Sequence, residues 1–220
     1  MSKYLFLLVF ATLFFSSCGN SPDGEKVSSE EAVEVKDQST ETATTYNINL
    51  ATSQINWIGS KIVGDQHAGY LKLSTGSLNV EDGDIIGGSF VVDMNSLTCT
   101  DLDESSGKGK LEGHLKNEDF FDTEQFPTGK FEIASVKAIE GNTDATHEIT
   151  GNLTLKDITK SITIPAKVEM SESEISATTP QFTINRTEWG IKYGSGLLGV
   201  AQDKAINDDV ALKINLIASM

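Results

Sequence analysis

Between Tyr46 and Met220, apolar and polar positions alternate with a period of two in stretch after stretch, the pattern of half-buried strands. Ile55, Trp57 and Gly59 share a face opposite Asn56, Ile58 and Ser60. Residues 69–80 form a second strand, expected to break around Gly76, and Phe90, Val92 and Met94 alternate with Val91, Asp93 and Asn95 in a third. Ile149, Gly151, Leu153 and Leu155 oppose Thr150, Asn152, Thr154 and Lys156; Ile162, Ile164, Ala166, Val168 and Met170 oppose Ser161, Thr163, Lys167 and Glu169. Phe182, Ile184 and Arg186 open another strand, and Val210, Leu212, Ile214, Leu216 and Ala218 line a last one. Gly64-Asp65, Gly83-Asp84 and residues 157–160 are turn signals between them. About eight strands joined by short turns specify an antiparallel barrel or sandwich.

One segment departs from that period. Leu111 and Leu115 lie one helical turn apart, so residues 109–119 are expected to be helical. Phe120, Phe121 and Phe126 then crowd into seven positions before Pro127, and a strand restarts at Lys130-Phe131-Glu132-Ile133. Leaving such aromatics in water costs about 25 cal/mol per Å² of apolar surface, so they should plug one end of the strand assembly.

The N-terminus reads as a targeting segment. Lys3 precedes an apolar run, residues 4–15, too short to span a bilayer, and the run ends in Phe15-Ser16-Ser17-Cys18. Small residues before a cysteine resemble a bacterial lipobox, which makes residues 1–17 a lipoprotein signal peptide and Cys18 the acylated first residue of the mature chain. Gly19-Asn20 lacks an inner-membrane-retaining Asp, which favours an outer-membrane anchor facing the periplasm. Residues 18–45 carry seven acids and two bases after Asn20 and almost no large apolar residue, so they are expected to be a disordered acidic tether holding the domain off the membrane. The net charge of −15 disfavours nucleic acid as a partner. With Cys18 acylated, Cys99 has no partner for a disulfide and is expected to be a small buried hydrophobe.

Several stretches together resemble the YceI-like family of secreted, lipocalin-like barrels that bind polyisoprenoids and other long-chain lipids. They are residues 115–122 (LKNEDFFD) with Phe126-Pro127 and Lys130-Phe131; residues 69–78 (GYLKLSTGSL); residues 95–102 (NSLTCTDL); the hairpin at 151–160 (GNLTLKDITK) with Pro165; and residues 186–191 (RTEWGI), where Trp189 replaces the more common Phe. The resemblance runs in order from residue 46 to 220. It implies an all-β fold with one short helix, an antiparallel eight-stranded lipocalin-like β-barrel whose apolar tunnel takes a polyisoprenoid, an isoprenoid quinone or a fatty-acid derivative. Trp57, Phe90, Val92, Met94, Phe120, Phe121, Phe131, Ile133, Phe182, Ile184, Arg186 and Trp189 are the candidate ligand-binding residues.

Alternatives stay open at this point. Alternation is met equally by a barrel filled with side chains, a structural or interaction lipoprotein, and by one wide enough for an elongated ligand. Arg186 either meets a ligand's head group or pairs with Asp208 or Asp209, and the loop 194–203 is either a lid or an ordinary connection. A homodimer is compatible with the sequence. His114 and Glu118 have i, i+4 spacing but no third ligand, so no metal and no cofactor is expected; a metal-dependent hydrolase is the weaker alternative. Neither a GxSxG elbow nor a P-loop is present, and Gly194-Ser195-Gly196 lacks a strand–turn–helix setting, so no catalytic residue is assigned.

Overall fold

The structure, a computed structural model, describes residues 21–36 and 40–220; Cys18 and the expected signal peptide lie outside them. In chain order the elements are β1 (Glu25–Lys26), β2 (Ser29–Glu31), β3 (Thr44–Ile48), β4 (Gln54–Ser60), β5 (Gln66–Glu81), β6 (Asp84–Cys99), α1 (Lys108–Lys116), β7 (Thr128–Ala138), β8 (His147–Leu155), β9 (Ile158–Met170), β10 (Glu174–Thr178), β11 (Phe182–Asn185) and β12 (Asp209–Ser219). Short 3₁₀ turns follow at Arg186–Trp189 and Gly196–Leu198. The helix is shorter than the expected 109–119, because Asn117 turns extended and donates its N–H to the His114 carbonyl.

From β4 to β10 each strand pairs with the next, most of them through short hairpins. Asp82 and Gly83 both have positive φ, 52° and 88°, the twist-matched geometry of a two-residue hairpin loop. The antiparallel ladder runs β4–β5–β6–β7–β8–β9–β10–β12 and closes where β12 returns to β4, with Leu212 opposite Trp57. The result is a ring of eight strands, the barrel that the alternation and the family resemblance imply. Closure turns every second residue inward and leaves edges only where a stave is built in halves. β5 does not break at Gly76; it runs through, absorbing register shifts against β6 at three places.

Two staves of the barrel are built in halves. β3 continues the place of β4 between β5 and β12, and β11 takes over from β10 alongside β12, with Phe182 opposite Leu212. The second substitution leaves a gap, because β10 pairs only with residues 167–170 of β9. The N-terminal segment fills it. β2 pairs with the start of β9, Ser29 opposite Ile162, while β1 runs parallel to β11, Glu25 opposite Phe182. Val27 is buried there and donates its N–H to the Thr183 carbonyl at 2.8 Å. Farther along, the Asn152 side chain grips Val33 at both ends, accepting its N–H at 3.0 Å and donating to its carbonyl at 2.8 Å.

This overturns the expectation that residues 18–45 are wholly a disordered tether, since 21–36 are laid onto the barrel. The segment's own apolar surface remains too small to order it. What orders the segment is unpaired backbone elsewhere, on β9 and β11, which is costly to leave buried without partners.

Inside, large and small residues alternate across neighbouring strands. A Cβ on Gly151 would stand 2.5 Å from Phe131 Cζ, and one on Gly69 would stand 2.6 Å from the Trp57 ring. Each glycine is the floor on which an aromatic ring lies. Replacing Gly151 by valine should therefore cost about 1–3 kcal/mol, the usual range for overpacking, read as a lower urea midpoint. Wild-type stability in that variant would mean that Phe131 has room to swing aside.

Candidate ligand-binding interior

The turns at 82–83, 139–146 and 171–173 define one end of the barrel; α1 and the loop 186–208 define the other. In the half towards the hairpin end, Leu78, Ile85, Phe90, Phe131, Ile133, Ile149, Ile164, Ala166, Ala177, Thr179, Ile214 and Leu216 enclose a cavity of about 30 Å³. Thr179 supplies no polarity to it, because its hydroxyl accepts the Ile214 N–H at 2.9 Å. The cavity is thus apolar, and a water entering it would find no hydrogen-bond partner. Phe90 and Phe131 are cross-strand partners at its centre, with rings stacked 5.3 Å apart at 28°.

Of the candidate ligand-binding residues, Phe90, Phe131 and Ile133 line this cavity. Trp57, Val92, Met94, Phe182, Ile184 and Trp189 are buried in the same continuous core, and half-buried Phe121 packs against it. The Trp189 indole N–H donates to the Leu153 carbonyl at 3.0 Å, whereas the buried Trp57 Nε1 has no acceptor among the described residues. Nine lining residues were not singled out from the sequence. For Ile149, Ile164, Ala166, Ile214 and Leu216 the signal was present in the inward faces of residues 149–155, 162–170 and 210–218, but periodicity does not say at which height along the barrel space remains.

The other end is closed. Phe120 is buried, yet its ring joins the cap rather than the interior core. It lies edge-on to His114, with centroids 5.0 Å apart, 5.3 Å from the Tyr193 ring, and 5.9 Å from the Arg186 Cζ. Phe126 remains half-buried beneath the Lys156 ammonium, whose Nζ also donates to the Phe120 carbonyl at 3.3 Å. The expected aromatic plug is real in outline: Phe121 meets the core while Phe120 seals the cap over it.

Arg186 takes the second of its two expected roles, pairing with Asp208. Its guanidinium is buried and donates to the carbonyls of Ile191 at 2.7 Å, Asn207 at 3.0 Å and Ile206 at 3.4 Å, and to Asp208 Oδ1 at 3.4 Å. Asp208 Oδ2 in turn accepts the Ser195 hydroxyl at 3.0 Å. Burial pulls the guanidinium pKa below its ordinary value, and the Asp208 charge opposes that shift. These contacts staple the loop 190–208 to the barrel end, and Arg186 is no part of the cavity lining. A head-group role for it is not sustained, because its donors are committed to backbone and Asp208.

The loop 194–203 does not cover the interior either. With Lys26, Ile62, Ile206 and Asp208 it borders an outer cleft of about 510 Å³, which shares no lining residue with the interior cavity. Leu197 and Leu198 at its tip are exposed.

Comparison with known proteins agrees with this architecture. A family model described as the YceI-like domain matches residues 46–218. A UPF0312 protein of Pseudomonas aeruginosa is 36% identical over 76 residues, 34% of this chain and 38% of the relative; one from Pseudomonas paraeruginosa matches to the same extent. The alignment therefore spans 38% of the length of these curated relatives. Among solved structures, Burkholderia cenocepacia BcnA is 19% identical with a TM-score of 0.59, over 78% of this chain and 99% of that one. A polyisoprenoid binding domain from Saccharophagus degradans, implicated in plant cell wall breakdown, is 14% identical with a TM-score of 0.56, over 79% and 97%. At such identities the likeness is one of fold. The match across 46–218, carried on a closed ring of eight strands, makes this chain a member of the YceI-like family.

Proposed function

We propose that this protein binds a long-chain hydrophobic molecule non-covalently inside the barrel, to sequester or ferry it. A polyisoprenoid, an isoprenoid quinone or a fatty-acid derivative has the right chemistry. The observation that carries this reading is a closed wall whose inner lining is apolar throughout, its single hydroxyl committed to the wall itself. Burial of each CH₂ there is worth about 0.8 kcal/mol, so a tail needs no polar contact to bind. The name of the Saccharophagus degradans neighbour, a polyisoprenoid binding domain, supports the same ligand class. The Trp57 indole N–H offers one buried donor to a ligand acceptor such as a quinone carbonyl.

A tail of this kind needs more than the present 30 Å³, since ligand sites usually enclose about 300–1,000 Å³. Binding therefore requires the interior to open beyond its present volume. The same small volume favours a second reading, a filled barrel that acts through its surface. Native mass spectrometry of the purified chain, followed by denaturing extraction, separates the two. A discrete adduct that releases an apolar molecule, and is lost in a folded Phe131→Asp variant, supports the carrier. An adduct unchanged in that variant counts against the interior as its site, and a bare mass unmoved by added isoprenoid or quinone leaves the filled barrel.

Acylation of Cys18, with anchorage at the outer membrane facing the periplasm, belongs to the same proposal. With residues 21–36 docked, only Gly19 and Asn20 separate Cys18 from Ser21. Three residue steps reach at most about 10 Å, so the barrel would ride against its membrane rather than stand off it.

A further inference from the structure

The start of β5 and the end of β6 bring His67 together with Cys99 and Asp101, which lie more than thirty positions further along the chain. Their donor atoms all fall within 4.8 Å of one another. His67 Nδ1 is 2.9 Å from Asp101 Oδ2, and the Cys99 thiol donates to Asp101 Oδ1 at 3.1 Å. Cys99 is fully buried, while His67 and Asp101 are each about one-third exposed, so the cluster has a dry floor and an open mouth.

We propose that His67, Cys99 and Asp101 form a three-ligand site for a zinc-like divalent transition-metal ion, with the fourth position open to water or an exogenous ligand. The donor set selects the ion. A thiolate beside an imidazole suits zinc and its neighbours, and it excludes magnesium and calcium, which take oxygen ligands. Bond lengths of about 2.3 Å to sulfur and about 2.0–2.2 Å to nitrogen and oxygen put tetrahedral ligands roughly 3.3–3.8 Å apart. The observed spread brackets that range, so shifts of an ångström or less complete the site.

The scaffold is rigid where it must be. Gly69 pairs with Cys99 across the β5–β6 ladder, and the Thr100 N–H donates to the Ala68 carbonyl at 2.8 Å. Glu112 on α1 accepts the Cys99 N–H at 2.8 Å, which fixes the thiol's backbone from the other side. The Ala68 N–H, 2.8 Å from Asp101 Oδ1, orients the carboxylate as an outer partner does in a metal site. On binding, Cys99 releases its thiol proton to solvent, and His67 passes the Nδ1 proton that faces the Asp101 carboxylate to Nε2 through solvent, which frees Nδ1 to ligate the ion.

Cobalt(II) tests the site directly, because a cysteine ligand produces a sulfur-to-metal charge-transfer band. The full chain carrying Cys18→Ser leaves Cys99 as the sole thiol. One cobalt per chain should bind with that band, zinc should displace it, and adding Cys99→Ser should abolish it. His67→Ala should weaken zinc binding by at least about tenfold, the smallest loss seen even for outer partners. His67 is partly exposed, so this variant should stay folded, and its far-ultraviolet circular dichroism checks that. No band at saturating cobalt, or equal zinc affinity in folded His67→Ala, would overturn the site and leave the trio as a hydrogen-bonded latch between two strands. Neither result bears on ligand binding in the interior.

Discussion

Replacing Arg186 by methionine should lower the unfolding free energy by about 3–5 kcal/mol, the usual cost of removing one partner of a buried charged pair. Three carbonyls, those of Ile191, Ile206 and Asn207, would lose a charged donor, and Asp208 would keep only the Ser195 hydroxyl of its two side-chain partners. Asp208→Asn should cost much less, because that carboxylate is about one-fifth exposed and water can take over part of its role. Urea unfolding followed by tryptophan fluorescence measures both, since Trp189 is buried in the same 3₁₀ turn as Arg186. Equal losses in the two variants would show that the ion pair matters and the carbonyl contacts do not. A loss below about 1 kcal/mol in Arg186→Met would remove Arg186 as the staple of the loop 190–208.

Deleting residues 21–36 should open the barrel wall between β9 and β11. The ladder contacts of β1 and β2, each worth a net 0.5–1.5 kcal/mol, and the burial of Val27 add up to a loss on the order of 2–4 kcal/mol. The ion pairs Lys26–Asp209 and Lys160–Glu31 have exposed partners and add little to that. The diagnostic readout is local. Amide exchange should quicken in residues 158–162 and 182–185, while the ladder from β5 to β8 stays protected. Asn152→Ala should reproduce a milder form of the effect, because it frees Val33 without touching the strands. Unchanged protection across 158–162 in the deletion would mean that β9 and β11 close on each other unaided. If the interior holds a lipid, the deletion should also speed its exchange, since the seam is then the weakest part of the wall.

The barrel was legible in the sequence because its physics is local in one respect: alternation with period two states which residues share a face, whatever that face meets. Hence Phe90, Val92, Met94, Phe131, Ile133, Phe182 and Ile184 could be placed inward before any contact was known, and all are buried. The aromatic cluster at 120–126 announced a closed end for the same reason, since three phenylalanines in a turn must cover something. The family resemblance rested on these stretches, and it extended to the number of strands.

What the sequence left undecided depends on partners distant along the chain. Residues 21–36 look like a tether when judged by composition, and only the half-built stave of β10 and β11 supplies the edges that order them. Arg186 could have faced a ligand or Asp208 by strand parity alone; the turn at Arg186–Trp189 takes it out of the strand and folds the carbonyls of Ile191, Ile206 and Asn207 around it. Phe120 and Phe121 are adjacent, and the helix stop at Asn117 decides which ring meets the core and which the cap. Cys99 and Asp101 are two positions apart, but nothing in the spacing points to His67; the register of β5 on β6 is what brings it to them. Periodicity determined which side of the wall each residue occupies, because that needs only the pleat of one strand. Register, closure and the volume left inside were decided by the tertiary structure, because each is a relation between strands that no single stretch contains.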